Sequence, residues 1–270
     1  MALKAFRRYE KKFSMTQEQM NELLPLILEH MDPDRFCVNG QVYPICNIYY
    51  DTDDSAIIRH SLSKPYYKEK LRMRSYGVPS GPDALVFLEM KKKVGGLVTK
   101  RRAEIPYQVA MDFLHTKQIP TGLDYMNTQV LREIRYFLEQ NQVHPAVYIS
   151  YERAAYFDRT NPEFRLTFDR NILTRRTQVD LAAGNFGTLL MPENFRLMEV
   201  KVSTALPTWL ADALCDMNLF SSPFSKYGRE YHAWLEEKLI PFPPFESGTV
   251  PPVPSHPSKN PFTSQEVSHA

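Results

Sequence analysis

Basic side chains recur at every second position in three neighbouring segments of the chain. In an extended strand, residues i and i+2 share one face, so these charges would all point to the same side. The residues are Lys70, Arg72, Arg74, Lys91, Lys93, Lys100 and Arg102. An Arg guanidinium binds phosphate oxygens in a bidentate manner, and a Lys ammonium acts as a compact point charge. The spacing therefore predicts a surface that binds a chain of phosphate groups.

Further segments continue this alternation and add carboxylates. The aligned sets are Glu10 with Lys12, Glu89 with Lys91, Tyr151 with Arg153, Arg165 with Thr167 and Asp169, and Glu199 with Lys201. Mg²⁺ is commonly held by one or two carboxylates together with phosphate oxygens of a substrate. Glu10, Glu89 and Glu199 are therefore candidate metal ligands, although an ion pair with a neighbouring cation is the simpler interpretation of each acid taken alone. For Tyr151, packing within a barrel and contact with phosphate are about equally plausible.

The remaining composition excludes several other kinds of site. The seven His residues are scattered and form no convincing pairing with a nucleophile, and Cys37, Cys46 and Cys215 are too few and too far apart for a disulfide framework or a zinc site. The 33 basic and 31 acidic residues leave a formal charge of only +2, which gives no argument for a nucleic-acid partner. No apolar run reaches the roughly 18 residues of a membrane-spanning helix. With no signal-peptide pattern at the N-terminus, we expect a soluble, cytoplasmic protein.

The elements that must position these residues follow from the hydrophobic periodicity and the turn signals. The predicted strands cover residues 5–15, 42–51, 68–76, 84–94, 98–105, 146–158, 164–169 and 195–202, and the predicted helices cover 16–30, 106–117, 127–141, 207–217 and 225–239. From Pro241 onward, prolines crowd a polar segment that we expect to be extended or disordered. We predict one α+β domain over residues 1–240 and a Pro-rich tail over 241–270.

Two arrangements place the charges on one face of successive strands. The sheet can be open, with its charged face in contact with water. It can instead close into an eight-stranded antiparallel barrel, with the charges inside and the amphipathic helices packed on the apolar outside. A bore lined by many cations would repel itself unless an anion occupied it. We predict the closed barrel, because the helices need an apolar surface on which to pack.

The order of the motifs adds a resemblance to a known family. The motifs are RRYEKKF (7–13), YYDT (49–52), EKLRMRSYG (69–77), FLEMKKK (87–93), TKRRAEIP (99–106), YERAAY (151–156), RLTFDRNI (165–172), MEVK (198–201) and FSKYGR (224–229). In this order the sequence resembles the catalytic domain of the vacuolar transporter chaperone (VTC) family, within the triphosphate tunnel metalloenzymes. The resemblance extends from about residue 6 to residue 239.

The resemblance implies a tunnel that transfers phosphate from ATP or another nucleoside triphosphate to inorganic polyphosphate, with Mn²⁺ or Mg²⁺. It implies the catalytic residues Lys12, Lys70, Arg72, Arg74, Lys91, Lys100, Arg153 and Lys226. The expected substrate-binding residues are Glu10, Lys93, Arg102, Tyr151, Arg165, Lys201 and Ser225, and Glu199 is the expected metal ligand. Ser225, Lys226 and the Tyr151 hydroxyl come from the resemblance alone. Fungal members also carry membrane helices, so we expect any product translocation here to need a membrane partner protein.

Two alternative activities stay open at this stage. The same site could hydrolyse tripolyphosphate or a nucleoside triphosphate, or it could bind polyphosphate without turnover. Many relatives in the wider superfamily begin with a Glu-x-Glu-x-Lys strand, and here Arg8 replaces the first acid, a change that favours phosphate binding over hydrolysis. We expect no nucleic-acid partner, because a closed bore suits a thin phosphate chain and because the sequence presents no evident platform of stacking aromatics.

Overall fold

A computed structural model describes residues 9–161, 163–203 and 205–239. Arg8 and the predicted tail over 241–270 lie outside the described residues. The strands are β1 (Tyr9–Thr16), β2 (Met31–Pro33), β3 (Tyr43–Asp51), β4 (Tyr67–Ser75), β5 (Leu85–Val94), β6 (Leu97–Pro106), β7 (His144–Asp158), β8 (Arg165–Arg175), β9 (Thr188–Leu189) and β10 (Phe195–Val202). The helices are α1 (Gln17–His30), α2 (Ala56–Leu62), α3 (Tyr107–Thr116), α4 (Tyr125–Gln140), α5 (Thr208–Asp216) and α6 (Lys226–Leu239).

The predicted α+β class and the antiparallel pairing are confirmed. The eight long strands follow the order β1-β10-β8-β7-β3-β4-β5-β6, and the short β2 and β9 pair with β7 and β8. All eight predicted strands and all five predicted helices are present. The helix α2 and the two short strands were not predicted, because α2 has only seven residues and the short strands depend on pairing with distant partners.

The prediction of a closed barrel is wrong, because in the described residues no backbone pairing joins β1 to β6. Each of these outer edges is covered by another part of the chain. Ser222 N–H donates to the Lys12 carbonyl oxygen at 2.9 Å on the edge of β1. On the edge of β6, the Asn127 side chain accepts from Glu104 N–H at 2.9 Å and donates to the Glu104 carbonyl oxygen at 3.2 Å. These contacts give hydrogen-bond partners to backbone groups of Lys12 and Glu104 on the two free edges of the sheet.

Local sequence explains the turns and helix starts that hold the sheet together. The connection between β5 and β6 is Gly95–Gly96, and both residues have positive φ values of 53° and 91°. This conformation suits a two-residue hairpin loop and favours glycine. At the start of α1, Thr16 and Gln19 form a capping box in which the Thr16 hydroxyl accepts from Gln19 N–H. The chain can thus turn from β1 directly into α1.

The two faces of the sheet have different partners. On the convex face, apolar side chains of β4, β5 and β6 pack against α3 and α4, and those of β1, β8 and β10 pack against α1 and α5. This arrangement agrees with the expected position of these helices outside the sheet. By contrast, α6 lies on the concave face, where Tyr227 packs with Ile149 and with Ile58 of α2. No helix among the described residues is both long and apolar enough to cross a membrane.

Candidate active site: a basic groove

The charged residues identified from the sequence line the concave face of the sheet. We call this surface the basic groove, and its side chains come from β1, β10, β8 and β7 on one wall, β3 in the middle, and β4, β5 and β6 on the other wall. The first residues of α6 reach into it from one end. The strand register brings charges together directly, because Lys12 pairs with Glu199, Arg153 with Asp169, and Arg72 with Glu89 on adjacent strands.

The first charge cluster surrounds Glu199 and Asp169, and we call it the Glu199 cluster. Glu199 lies within 3.3 Å of three cations, the side chains of Lys12, Arg153 and Lys226. Asp169 is fully buried and accepts two hydrogen bonds from Arg153, at 2.6 and 2.7 Å, and one from Lys226 at 2.5 Å. Two carboxylates therefore share three cations in a region with little access to water.

The second charge cluster surrounds Glu89, and we call it the Glu89 cluster. Arg72 Nε donates to Glu89 Oε2 at 2.5 Å, Lys100 Nζ contacts Glu89 Oε1, and Arg74 Nε lies 3.8 Å from Oε2. Two uncharged groups help to orient the guanidinium groups. Tyr49 Oη accepts from Arg72 at 3.2 Å, and Asn47 Oδ1 accepts from Arg74 at 3.0 Å.

Tyr151 connects the two clusters. Its hydroxyl accepts from Arg74 Nη2 at 3.3 Å, while its ring lies under Lys226 Nζ at 4.4 Å and near the Arg153 guanidinium at 5.2 Å. The two ring contacts are cation–π contacts with the Glu199 cluster, and the hydroxyl contact reaches the Glu89 cluster. Tyr151 therefore lies between the two clusters and contacts cations of both.

The two walls of the groove are close enough for charges on β1 and β5 to interact, although the sheet is open. Burial raises the pKa of Glu10 on β1, but Lys12 and, more weakly, Lys91 outweigh this effect and lower it. Lys91 belongs to β5, and five strands separate β5 from β1 in the sheet. Interaction between charges on strands so far apart in the sheet order is consistent with a curved sheet.

A buried network fixes the start of α6 and delivers Lys226 to the groove. Tyr227 Oη donates to Asp51 Oδ2 at 2.6 Å, and Asp51 also accepts the backbone N–H groups of Ile57 and Ile58 at the start of α2. Farther along α6, Glu230 accepts two hydrogen bonds from Arg176, at 2.7 and 2.9 Å. These contacts hold the first turn of α6 over the concave face.

Burial and neighbouring charge shift the pKa values of the groove in two directions. Burial alone would raise the pKa of Glu89, but the nearby Arg72, Arg74 and Lys100 lower it to about 2. Burial also opposes ionisation of Glu199, yet Lys226 and its other cations hold the pKa well below its usual range. The pKa of Lys70 falls to about 8, mainly because of burial. The pKa of Lys100 also falls to about 8, because burial and the nearby Arg72 and Arg74 outweigh Glu89.

The structure brings most of the predicted site residues together, and some of them lie apart from the two clusters. The residues in or next to the clusters are Glu10, Lys12, Lys70, Arg72, Arg74, Glu89, Lys91, Lys100, Tyr151, Arg153, Glu199, Lys201 and Lys226. Lys93 pairs with Lys68 on the neighbouring strand, beyond the Glu89 cluster. Arg102 pairs with Glu89, but its guanidinium lies over the Phe87 ring at 4.8 Å. The Arg165 guanidinium lies over the Phe157 ring at 4.2 Å. The Ser225 hydroxyl is exposed and accepts Gly228 N–H at 3.1 Å, a helix-capping contact. The assignment of these residues to catalysis or binding stays a prediction.

Three residues of the site were not selected from the sequence. They are Asp169, Asn47 and Tyr49. Asp169 aligns with Arg165 in the alternating pattern, so a signal for it was present. Asn47 and Tyr49 also alternate along β3, but neither is charged, and only the register with β4 places them beside Arg74 and Arg72.

Comparison with known proteins agrees with this architecture. The family model described as the VTC domain matches residues 7–235. The chain belongs to the VTC domain family. No curated protein matches the chain.

Two solved structures share part of the architecture, and both are provisionally named adenylate cyclases. The protein from Bacillus halodurans is 15% identical, with a TM-score of 0.49, and the match covers 80% of this chain and 92% of that chain. The protein from Vibrio parahaemolyticus is 13% identical, with a TM-score of 0.41, and the match covers 84% of this chain and 98% of that chain. At these identities and TM-scores, the two structures support no conclusion beyond the family match.

The carboxylate and hydroxyl oxygens of the groove could coordinate a divalent cation only together with phosphate oxygens of a substrate. No group of three or more Asp, Glu, His or Cys side chains that could hold a metal is found in the described part of the chain. Glu10 Oε1 and Glu199 Oε1 both lie within 3.3 Å of Lys12 Nζ. Thr167 lies opposite Glu199 on the adjacent strand, and its buried hydroxyl has no hydrogen-bond partner among the described residues. A hard cation could use these oxygens, provided that substrate phosphates supply the rest of its coordination.

Proposed function

We propose that this protein transfers the terminal phosphoryl group of a nucleoside triphosphate to an inorganic polyphosphate chain in the basic groove. The main support for this proposal is that cations outnumber the buried carboxylates in the groove. Six cations (Lys12, Arg72, Arg74, Lys100, Arg153 and Lys226) share three buried carboxylates (Glu89, Asp169 and Glu199). Membership of the VTC domain family supports the same assignment.

A chain of phosphates matches the unbalanced charge of the groove. Lys70 is largely buried and contacts the face of the Tyr227 ring at 5.7 Å, and its pKa is already depressed in the free protein. Buried cations are costly unless they are paired. A bound phosphate chain would pair these cations along the length of the groove.

The two clusters suggest how the transfer would proceed. A new P–O bond forms between the γ-phosphorus of the nucleotide and a terminal oxygen of polyphosphate, and the bond from the γ-phosphorus to the β–γ bridging oxygen breaks. The products are a nucleoside diphosphate and a chain longer by one phosphate. The acceptor oxygen is already anionic near neutral pH, so the groove needs no strong general base. Arg72, Arg153 and Lys226 would neutralise charge on the transferring group and hold it in line.

A divalent cation, Mn²⁺ or Mg²⁺, belongs to the same proposal. Glu199 and Glu10 would hold it, and when bound it would neutralise phosphate oxygens. Lys12 lies between these two carboxylates. Its ammonium would then be free to contact phosphate instead.

The test is an assay of the purified protein with ATP and Mn²⁺. We expect long polyphosphate, detected on a gel, together with a stoichiometric release of ADP. Release of orthophosphate without polyphosphate would contradict the transfer and assign hydrolysis to the groove. Tight binding of polyphosphate without either product would leave a binding domain.

A further inference from the structure

Four aromatic rings form a continuous row across one end of the basic groove. The ring centroids of Phe36 and Tyr43 lie 6.0 Å apart, those of Tyr43 and Tyr76 5.9 Å apart, and those of Tyr76 and Phe87 5.6 Å apart. Each ring comes from a different segment of the chain. For this reason no stacking platform is evident in the sequence, whereas the folded chain brings the four rings together.

The row borders the arginine end of the groove. Along β4 and just beyond it, Lys68, Lys70, Arg72, Arg74 and Tyr76 alternate in that order on one face. On β5, Phe87 pairs directly with Arg74.

The opposite end of the groove is rich in lysine. Lys64, Lys68, Lys91 and Lys93 lie there, and burial together with the three other lysines lowers the pKa of Lys68. The two ends therefore differ in chemistry: one offers aromatic rings beside Arg, and the other offers flexible ammonium groups.

The rings of the row leave a face available for a planar ligand. Tyr76 meets Tyr43 and Phe87 at interplanar angles of 60° and 83°, so the rings touch edge to face and do not stack on one another. Tyr76 is 56% exposed. One face of Phe87 is covered by the Arg102 guanidinium at 4.8 Å.

We propose that Tyr76 is the stacking platform for the nucleobase of the donor nucleotide, and that Tyr43 and Phe87 support it from the sides. This inference rests on the proposed function of the groove. Two residues along a strand span about 7 Å, so a base on Tyr76 and phosphates from Arg74 onward would be separated by roughly the length of a ribose. The donor enters at the aromatic end, and the growing polyphosphate occupies the lysine end.

The chemistry of the platform predicts little discrimination between bases. Every nucleobase has a π-face, and stacking on an aromatic side chain tolerates all of them. Arg102 adds a cation beside the platform, which suits the phosphate side of a nucleotide. The ligand class is therefore a nucleoside triphosphate with either a purine or a pyrimidine base.

The experiment compares two ligands that differ by the nucleoside. The non-hydrolysable β,γ-imido analogue of ATP and inorganic tripolyphosphate are titrated into the full-length protein and its variants. In Tyr76→Ala we expect affinity for the analogue to fall about tenfold, because stacking on one ring is lost. Affinity for tripolyphosphate should stay within twofold. Tyr76→Phe, which keeps the ring, should bind both ligands as the wild type does.

A matched control and three outcomes make the test decisive. Tyr125→Ala removes a tyrosine that is 74% exposed at the start of α4, away from the groove, and should change neither affinity. Equal losses for both ligands in Tyr76→Ala, or no loss for either, would overturn the platform, whereas tripolyphosphate binding by the wild-type protein would still support the proposed function of the groove. A changed oligomeric state with unchanged nucleotide affinity would also overturn it, by assigning the row to a protein contact. If wild-type protein binds neither ligand, the proposed function itself fails.

Discussion

Arg153 and Asp169 form a bidentate ion pair in the Glu199 cluster, with hydrogen bonds of 2.6 and 2.7 Å. Lys226 donates to the same carboxylate at 2.5 Å, and Asp169 is fully buried. A carboxylate in this position orients two cations toward the groove without being exposed to the substrate. We therefore treat Asp169 as a positioning residue that acts through Arg153 and Lys226.

Replacement of this carboxylate tests that interpretation. Asp169→Asn leaves Arg153 and Lys226 without their main counter-charge, so we expect the free energy of unfolding to fall by about 3–5 kcal/mol. Urea denaturation with and without tripolyphosphate measures the effect, and the bound anion should restore part of the loss. Glu152→Gln is the matched control, because the Arg170–Glu152 pair is 40% and 33% exposed on the convex face and should cost at most about 1 kcal/mol. Equal losses in the two variants would contradict the assignment.

The second prediction compares two arginines on opposite faces of the sheet. Arg72 faces the groove and contacts Glu89, whereas Arg101 faces α4 and pairs with Glu133 at 3.4 Å. Arg72→Ala should weaken tripolyphosphate binding by about 1.5–3 kcal/mol, since it removes a charge-assisted contact. Arg101→Ala should leave binding unchanged. Isothermal titration calorimetry checks both, and a loss of the same size in Arg101→Ala would show that overall charge, and not the groove, drives binding.

Much of this fold could be predicted because alternation marks strands directly. The charged triplet of β4 and its apolar neighbours Leu71 and Met73 fixed both the strand and its two faces. The closure of the sheet could not be predicted in this way. Alternation is the same for an open and a closed sheet. The contacts on the free edges come from Asn127 and Ser222, which lie outside the strands and carry no alternating pattern.

The candidate site also combines residues that the alternating pattern predicts with residues that only the folded structure brings together. Lys and Arg at alternate positions were visible because each strand repeats the pattern by itself. Asp169 was harder to assign, because its main partners lie on β7 and α6. Lys226, the partner on α6, is 57 residues away from Asp169 in the sequence. The aromatic row was missed for the same reason, since Tyr43, Tyr76 and Phe87 meet only through the register of three strands.

The third prediction concerns pH. Lys70 and Lys100 have pKa values of about 8 in the free groove, below the usual 10.5, and a bound phosphate chain would raise both. The protonated lysine is the form that binds, so affinity should be at its maximum below pH 8 and should fall as pH rises above 8. The loss should reach at most about tenfold per pH unit for each lysine.

Calorimetry with long-chain polyphosphate between pH 7 and 9.5 measures this dependence, and proton uptake at pH 8 provides an independent reading. Lys70→Arg is the matched variant, because arginine stays protonated throughout this range. In this variant the decrease of polyphosphate affinity with pH should be smaller by the contribution of one lysine, and the affinity at pH 7 should be unchanged. An unchanged slope in Lys70→Arg would contradict a titrating Lys70.

The last prediction separates a metal-binding role of Glu199 from a purely structural one. Glu199→Gln preserves the size of the side chain but removes a negative charge that faces the phosphates. We expect polyphosphate synthesis with Mn²⁺ to fall by about 100-fold, because loss of a cation ligand costs several kcal/mol of charge stabilisation. Binding of tripolyphosphate without metal should stay as tight as in the wild type or become tighter.

Glu69→Gln is the control and should keep full activity, because the Glu69 carboxylate lies 3.7 Å from Lys92 on the opposite face of β4. If Glu199→Gln instead lost metal-free binding and activity together, the residue would act by holding Lys12, Arg153 and Lys226 in place, and the metal assignment would be wrong.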